Sequence, residues 1–209
     1  VSRPIESLVA EAQSLVRRGV KEIMLIAQEL TFYGIDLYGE RQLKPLLEAL
    51  ADVPGLRWLR LHYAYPAGFP MEILPVMRER ANICAYLDLP LQHAANGVLR
   101  RMRRGITREK TEALIARIRE EVPGIALRTT LLVGYPGETL AEHEELLDFI
   151  ERMRFERLGV FQYSHEEGTH AYSLADDVPA EEKQRRADEV MAVQQDISQE
   201  LNARLVGRT

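Results

Sequence analysis

Three histidines, His62, His93 and His165, each follow an apolar stretch that is typical of a buried β-strand. Imidazole is a common ligand of divalent metals, and some enzymes hold a catalytic metal on histidines at the ends of parallel strands. A nearby carboxylate, Glu29 or Glu166, could then act as a base. One hypothesis is therefore a divalent-metal enzyme. The alternatives are that the histidines line a substrate pocket or are rim residues without a special role.

Polar residues also follow the remaining apolar stretches. Five sets lie at these positions: Gln28 with Glu29, His62 with Tyr63, Gln92 with His93, residues 134–138, and Ser164 with His165 and Glu166. In parallel sheets, ligands bind at the carboxyl ends of the strands. The five sets therefore predict one functional site.

The elements that would position these residues alternate along the chain. Strands are predicted at 22–28, 56–63, 83–91, 125–133 and 157–163, and helices at 4–18, 42–51, 71–80, 96–103, 108–121, 140–153 and from Pro179 onward. One or two helices between strands indicate an α/β fold with a parallel sheet, either open or part of a barrel. The last helix carries a stripe of apolar residues, and we expect it to pack on the domain: Val190, Val193, Ile197, Leu201 and Leu205.

The composition is that of a globular protein, with 46% hydrophobic and 28% charged residues among 209. No segment approaches the roughly 18 apolar residues of a membrane helix, and the first residues lack the layout of a signal peptide. A net charge of −5 argues against nonspecific nucleic-acid binding by the whole surface. The single cysteine, Cys84, excludes an internal disulfide and fits the reducing cytoplasm, and we expect it to be a buried structural thiol.

Residues 134–139 read Gly-Tyr-Pro-Gly-Glu-Thr, at a transition from strand to helix. Pro136 and Gly137 suit the centre of a type II turn, and Thr139 with Glu142 matches a helix capping box. A tight turn beside a helix amino end favours an anionic or carboxylate-bearing ligand. The alternative is a βα connection that binds nothing.

Several longer motifs occur in a fixed order: "SRPIE" (2–6), "GVKEIMLIAQELTFYG" (19–34) and "TTLLVGYPGET" (129–139). With them, the whole chain resembles the radical S-adenosylmethionine (SAM) methylthiotransferases. Three further motifs resemble the branch that modifies an aspartate of ribosomal protein S12 rather than tRNA: "RLHYAYP" (60–66), "YLDLPLQH" (86–93) and "YSHEEGT" (163–169).

The resemblance implies a partial (β/α) barrel of the radical SAM type, without its first strand and its CxxxCxxC cluster-binding loop, and with a long C-terminal helix. Residues 1–170 would form this core. Residues 171–209 would be a helical extension toward a substrate-binding, TRAM-like domain. With one cysteine, we expect the chain to ligate no cluster and to be unable to cleave SAM reductively by itself.

The reaction that the resemblance implies needs SAM, two [4Fe-4S] clusters and an electron donor. One cluster reduces SAM to generate a radical that removes a hydrogen, the second supplies sulfur, and another SAM supplies the methyl group. The cofactors would carry this chemistry and the protein would position them. The implied partner is ribosomal protein S12 on the small ribosomal subunit, in the cytoplasm and away from membranes.

By position in the family's motifs, the turn residues would lie against the adenine of SAM: Gly134, Pro136, Gly137 and Glu138. Gln28 and Glu29 would contact its amino group through their backbone, and Gln92 its ribose or carboxylate. His62, His93 and His165 would then line the substrate pocket. The alternatives are an ordinary turn and satisfied polar rim residues. A non-catalytic nucleotide-binding module would also fit the chain.

Four arginines, Arg100, Arg101, Arg103 and Arg104, lie at the end of a short predicted helix. A solvated face is the simplest interpretation, and docking to ribosomal RNA or to an acidic protein is the alternative. Elsewhere, we expect Arg128 at the far end of its strand and Arg60 within reach of a carboxylate.

Overall fold

Strands and helices alternate along residues 1–207, the part of the chain that the computed structural model describes. The strands are β1 (Glu22–Leu25), β2 (Trp58–Leu61), β3 (Tyr86–Gln92), β4 (Ala126–Val133) and β5 (Arg157–Gln162). The helices are α1 (Ile5–Arg17), α2 (Ile35–Tyr38), α3 (Leu43–Ala51), α4 (Ile73–Glu79), α5 (Asn96–Arg101), α6 (Arg108–Glu121), α7 (Leu140–Met153) and α8 (Ala180–Ala203).

The strand pairs are parallel, as the alternation predicts. Strand β1 pairs with β2, with Glu22 opposite Trp58. Strand β4 pairs with β5, with Arg128 opposite Arg157, in a three-stranded sheet of order β3-β4-β5. The parallel α/β class is therefore confirmed.

The first two strands are shorter than predicted. The carbonyl of Leu25 accepts from the amide of His62 at 3.0 Å, after which residues 26–28 are exposed and leave the ladder. The third strand begins late, because Ile83 makes only an isolated bridge with Leu59. Apolar residues thus extend beyond the paired segments after β1 and before β3.

The chain divides into two units, the first comprising Val1–Leu89 with Ala116–Ala126 and the second Pro90–Ile115 with the described residues from Leu127. Strand β3 runs from the first unit into the second. Residues 171–207, which we expected to form an extension, group with the second unit.

Each unit has its own core of fully buried side chains. In the first, eight side chains of α3, β2 and α4 are at most 2% exposed: Leu43, Leu46, Leu47, Leu50, Leu59, Leu61, Ile73 and Leu74. In the second, the rings of Phe149 and Phe155 pack with centroids 5.9 Å apart. Each such side chain contributes roughly 1.5–3 kcal/mol of hydrophobic free energy.

The apolar stripe predicted for helix α8 is only partly buried. Val190 and Ile197 are buried, but Leu205 lies beyond the end of the helix and is 59% exposed. Two cations, Lys183 and Arg186, occupy the buried face instead. In residues 1–207 no helix has the length and apolar composition of a membrane span.

Short elements were missed at 30–32, 35–38 and 170–173. Helix α2 has four residues between Gly34 and Gly39, both in the left-handed region. A single turn is too short to show a helical periodicity.

Cys84 is half-buried, so the expectation of a fully buried thiol was wrong. It precedes β3, and its amide donates to the carbonyl of Leu59 at 2.9 Å.

Candidate functional site

The chain turns sharply at the ends of three strands. Tyr63, Gln92 and Gly134 have φ values of 68°, 71° and 73°, in the left-handed region. Tyr63 and Gln92 carry side chains, so this conformation stores strain that is typical of functional positions. The sequence pattern gave no sign of it, because neither residue is a glycine.

A cavity of about 730 Å³ lies in the first unit beyond the end of β1. Its lining includes Arg3, Gln28, Glu29 and Tyr33. This volume is within the range of small-molecule sites, about 300–1,000 Å³. Residues 26–28 are exposed there, and each carries a backbone carbonyl that can accept a hydrogen bond.

The carboxylate of Glu29 orders the loop in which it lies. Its Oε1 accepts from the Thr31 hydroxyl at 2.5 Å and from the amides of Thr31 and Tyr65 at 3.2 and 3.3 Å. Gln28, in contrast, is exposed. The ligand-accessible groups at this strand end are therefore Gln28 and the backbone before it.

His62 has a buried acidic neighbour that the sequence analysis missed. Nδ1 of His62 lies 3.2 Å from Oδ2 of Asp88, whose side chain is 3% exposed. The signal was available, because Asp88 interrupts an apolar strand. Arg60 reaches a carboxylate as expected, since its Nε donates to Glu22 at 2.7 Å.

The turn at residues 134–138 has the predicted geometry. Gly137 has a φ of 74°, and the amide of Glu138 donates to the carbonyl of Tyr135 at 2.9 Å. The capping box is also confirmed, with Thr139 and Glu142 bonding each other's backbone. These local motifs position the start of α7.

The amides of this turn are used within the protein. Oε2 of Glu138 accepts from the amides of Gly134 and Tyr135, and Asp177 accepts from the amide of Gly137 at 2.7 Å. We expected these amides to bind an anionic ligand, but they are occupied by the carboxylates of Glu138 and Asp177. Of the five residues of the turn, only Gly137 is exposed.

Glu138 is fully buried among charged and polar side chains. Its Oε1 lies 3.2 Å from Arg186, 3.5 Å from His93 and 3.7 Å from His143. Burial raises the pKa of Glu138, but His93, Arg186 and the Gly134 amide together hold that pKa below its usual value. The carboxylate therefore remains charged in the interior.

One hydrogen bond fixes the tautomer of His93. Its Nδ1 accepts from the amide of Ala95 at 3.0 Å, so the ring proton is on Nε2, the atom that faces Glu138. The ring is buried, and His93 therefore contributes to the interior rather than to an open surface.

Residues 1–150 match the model of the radical SAM superfamily, about 72% of the chain. The chain belongs to the radical SAM superfamily. It is 57% identical over its whole length to the ribosomal protein uS12 methylthiotransferase RimO of Flavobacterium johnsoniae, and 54% identical to that of Bacteroides fragilis. It spans about half of these relatives, 48% of each.

Solved radical SAM structures share the fold. Coproporphyrinogen III oxidase (HemN) from Escherichia coli is 16% identical with a TM-score of 0.69, over 92% of this chain and 46% of that one. The methyltransferase TsrM from Kitasatospora setae is 24% identical with a TM-score of 0.60, over 77% and 31%. At these identities the similarity concerns the fold, and it confirms the predicted radical SAM type.

The three-histidine metal site is not formed in this radical SAM chain. His62 pairs with Asp88 in the first unit, whereas His93 faces Glu138 in the second. Across residues 1–207 no group of three His, Cys, Asp or Glu side chains could hold a metal ion. The divalent-metal hypothesis is therefore rejected.

His165 lies on an exposed loop after β5. Its ring stacks on Tyr172 with centroids 4.6 Å apart, and its Nδ1 is 3.0 Å from the Tyr163 hydroxyl. Glu166 accepts from Ser164 at 2.6 Å. The loop thus presents an aromatic and polar surface next to the turn residue Tyr135, whose ring packs edge-on against Tyr163 at 5.4 Å.

The arginine cluster separates into two kinds of residue. Arg101 is bound to Glu142 and Arg104 to the carbonyl of Pro90, each at 2.7 Å. Arg100 and Arg103 are exposed, and with Lys110 they line a cavity of about 470 Å³.

Proposed function

We propose that this chain is part of the radical SAM core of a methylthiotransferase that acts on ribosomal protein uS12. The observation that carries the proposal is its 54–57% identity, over 99–100% of its length, to enzymes of that name. Because the chain spans about half of those relatives, the activity belongs to the complete protein in which it occurs. A cytoplasmic location follows from a ribosomal substrate.

The first unit has groups that fit the methionine part of SAM. An ammonium group needs acceptors, and residues 26–28, which are exposed and line the cavity of about 730 Å³, carry backbone carbonyls. The Gln28 side chain adds an amide beside them. Glu29, whose carboxylate is bonded to Thr31 and Tyr65, holds this loop in place.

The second unit has groups that fit the adenosine part. By its motif, the turn at residues 134–138 would lie against adenine, and Gly137 is its exposed residue. Gln92, held at a φ of 71°, is half-buried at the end of β3 and can reach a polar ligand atom. Of the three candidate histidines, His62 in the first unit and His165 in the second have exposed surface for a protein substrate.

When bound, SAM and a reduced [4Fe-4S] cluster supply one-electron chemistry that can cleave an unactivated C–H bond. The complete protein therefore requires a one-electron donor. The residues of this chain bind and orient the cofactor and the substrate.

Mass spectrometry of uS12 tests the proposal. The complete protein, with its clusters reconstituted, is incubated with SAM, a chemical reductant and uS12, and the expected product carries one methylthio group on an aspartate. Gln28→Ala should raise the KM for SAM, and Gln42→Ala, a change of the same residue type outside the site, should not. SAM binding without any modification of uS12 would instead support the non-catalytic nucleotide-binding alternative.

We also propose that Arg100, Arg103 and Lys110 contact RNA near the substrate. These three side chains line one cavity, and within residues 1–207 none of them forms an ion pair with a carboxylate. Each phosphate contact releases about one counterion. The double change Arg100→Glu and Arg103→Glu should weaken ribosome binding and lower the slope of log K against log [salt] by about 2. Arg17→Glu with Arg18→Glu is the matched control.

Unchanged ribosome binding and an unchanged salt slope would overturn the RNA contact. A loss of affinity for isolated uS12 protein, without RNA, would assign the surface to a protein partner instead.

A further inference from the structure

Helix α8 places two buried cations against the turn at residues 134–138. Lys183 and Arg186 are 6% and 5% exposed, and they lie on one face of the helix with Val190. A buried cation costs free energy unless its charge is compensated, so a packing helix would ordinarily carry apolar residues here. Both cations are compensated, and both contact the turn.

The hydrocarbon part of Lys183 covers Gly134. A Cβ added to Gly134 would lie 2.3 Å from Cγ of Lys183, so this side chain fits only because residue 134 is a glycine. The ammonium group lies beyond, 2.7 and 2.8 Å from the two oxygens of Asp176 and 3.3 Å from the carbonyl of Tyr163. Lys183 therefore packs on the turn with its stem and is held by its charge.

Arg186 binds the other end of the turn. Its Nη1 donates to the carbonyl of Glu138 at 2.9 Å and lies 3.2 Å from the Oε1 of the same residue. Its Nε donates to Glu182 at 2.8 Å. One guanidinium thus fixes both the backbone and the carboxylate of Glu138.

The carboxylate of Glu138 also binds the start of the turn, so Arg186 is connected through it to residues 134 and 135. Its Oε2 accepts from the amides of Gly134 and Tyr135 while Oε1 faces Arg186. Helix α7 is connected in the same way, because His143 lies 3.7 Å from Glu138 and its Nε2 is 2.8 Å from Glu189 of α8. The turn is therefore bound to α8 at both ends and through its only charged residue.

We propose that Lys183 and Arg186 are positioning residues that hold the turn at residues 134–138 in the place where it would contact the adenosine part of SAM. This inference rests on the proposed function for the identity of the ligand. The contacts described above that hold the turn are all made within the protein. Helix α8 thereby becomes a determinant of cofactor affinity without touching the cofactor.

Amide hydrogen exchange tests the first step without any cofactor. Arg186→Met and Lys183→Ala should each raise the exchange rates of the Gly134 and Tyr135 amides about tenfold, since both amides bond to the Glu138 carboxylate. Arg186→Lys should restore part of the protection. Lys183→Met keeps the stem over Gly134 and should protect these amides better than Lys183→Ala.

The control is Gln194→Ala, which removes a different buried contact of α8. Nε2 of Gln194 donates to the carbonyl of Phe155 at 2.9 Å, away from the turn. This variant should lower the melting temperature while leaving the Gly134 and Tyr135 amides protected. Equal exchange in the Arg186 variants, the Lys183 variants and the wild type would overturn the proposal.

Calorimetry with SAM on the complete, cluster-loaded protein tests the second step. Arg186→Met should weaken SAM binding about tenfold, Arg186→Lys less, and Gln194→Ala not at all. A loss of affinity in Gln194→Ala that matches its loss of stability would show general destabilisation and would overturn the positioning role. If the wild type binds no SAM, the proposed function fails, whereas normal binding by the Arg186→Met variant refutes only the positioning role.

Discussion

Nε2 of His93 lies 3.5 Å from Oε1 of Glu138, and both side chains are fully buried. His93 was predicted to line a substrate pocket and Glu138 to contact the cofactor. In the structure they belong to one interior group that joins the end of β3 to the turn after β4. Because the His93 proton is on Nε2, the imidazole presents a donor to the carboxylate.

Replacing Glu138 by Gln should destabilise the protein strongly. The change removes one of the two carboxylates that compensate the buried Arg186 guanidinium and leaves only Glu182, and breaking a buried pair costs about 3–5 kcal/mol. Urea unfolding at pH 7 measures the difference in free energy. Glu200→Gln is the control, since its exposed ion pair with Arg154 is worth at most about 1 kcal/mol. Equal losses of unfolding free energy in Glu138→Gln and Glu200→Gln would contradict a stabilising role of the buried Glu138 carboxylate.

Gly134 should tolerate no side chain, for two separable reasons. A left-handed φ costs a non-glycine residue of order 1–3 kcal/mol, and the new Cβ also meets Lys183 at 2.3 Å. Gly105 has a φ of 65° and open space around it, so Gly105→Ala carries only the first cost. We expect the unfolding free energy to fall more for Gly134→Ala than for Gly105→Ala.

A double-mutant cycle separates the contact from the backbone strain. Adding Lys183→Ala to Gly134→Ala removes the contact, so the two losses of unfolding free energy should sum to more than the loss of the double variant. Strict additivity of the two losses would show that Lys183 does not restrict residue 134.

Much of this arrangement follows from local sequence patterns. The type II turn and the capping box depend on residues within four positions of each other, and both were predicted from Pro136, Gly137, Thr139 and Glu142. Helix α7 was predicted with both ends correct for the same reason. Local chemistry fixes such motifs before any packing is considered.

The buried contacts of Lys183 and Arg186 with carboxylates such as Glu138 could not be predicted in the same way. Charged side chains on a helix are usually solvated, so Lys183 and Arg186 indicated an exposed face. Arg186 lies four residues before Val190 and Lys183 three residues before Arg186, which placed both on the buried stripe of α8. Which carboxylates contact them depends on residues up to 48 positions apart in sequence. Tertiary structure alone brings Arg186 to Glu138.

The stability of α8 should depend on acid pH through Glu182. Hydrogen bonds from Arg185 and Arg186 lower the pKa of Glu182 to about 2 from an ordinary value of 4.5. The folded state therefore binds a proton less readily than the unfolded state, so this contribution to stability is present above pH 4.5 and is lost as the pH falls toward about 2.

Comparing wild type with Glu182→Gln across pH measures that contribution. The difference in unfolding free energy should be constant from pH 7 to pH 5 and should shrink below pH 4.5. Glu144→Gln, an exposed change on α7, should show no comparable dependence. A difference that stays constant down to pH 3 would contradict the lowered pKa.

The single cysteine should react slowly with alkylating reagents. Burial raises the pKa of the Cys84 thiol, and the nearby Arg60 guanidinium opposes this shift without cancelling it. Because the thiolate is the reactive form, the rate of alkylation by iodoacetamide should be below that of a free cysteine at pH 7.5 and should rise at higher pH than for the free thiol.

Two arginine variants test the cause of this shift. Arg60→Gln removes the opposing charge and should displace the pH profile of alkylation to higher pH, whereas Arg57→Gln, a change of the same charge near the start of β2, should not. Since the chain has one cysteine, the measured rate belongs to Cys84 alone. A profile that coincides with that of free cysteine would show that the thiol is solvated, and the half-buried position before β3 would then be wrong.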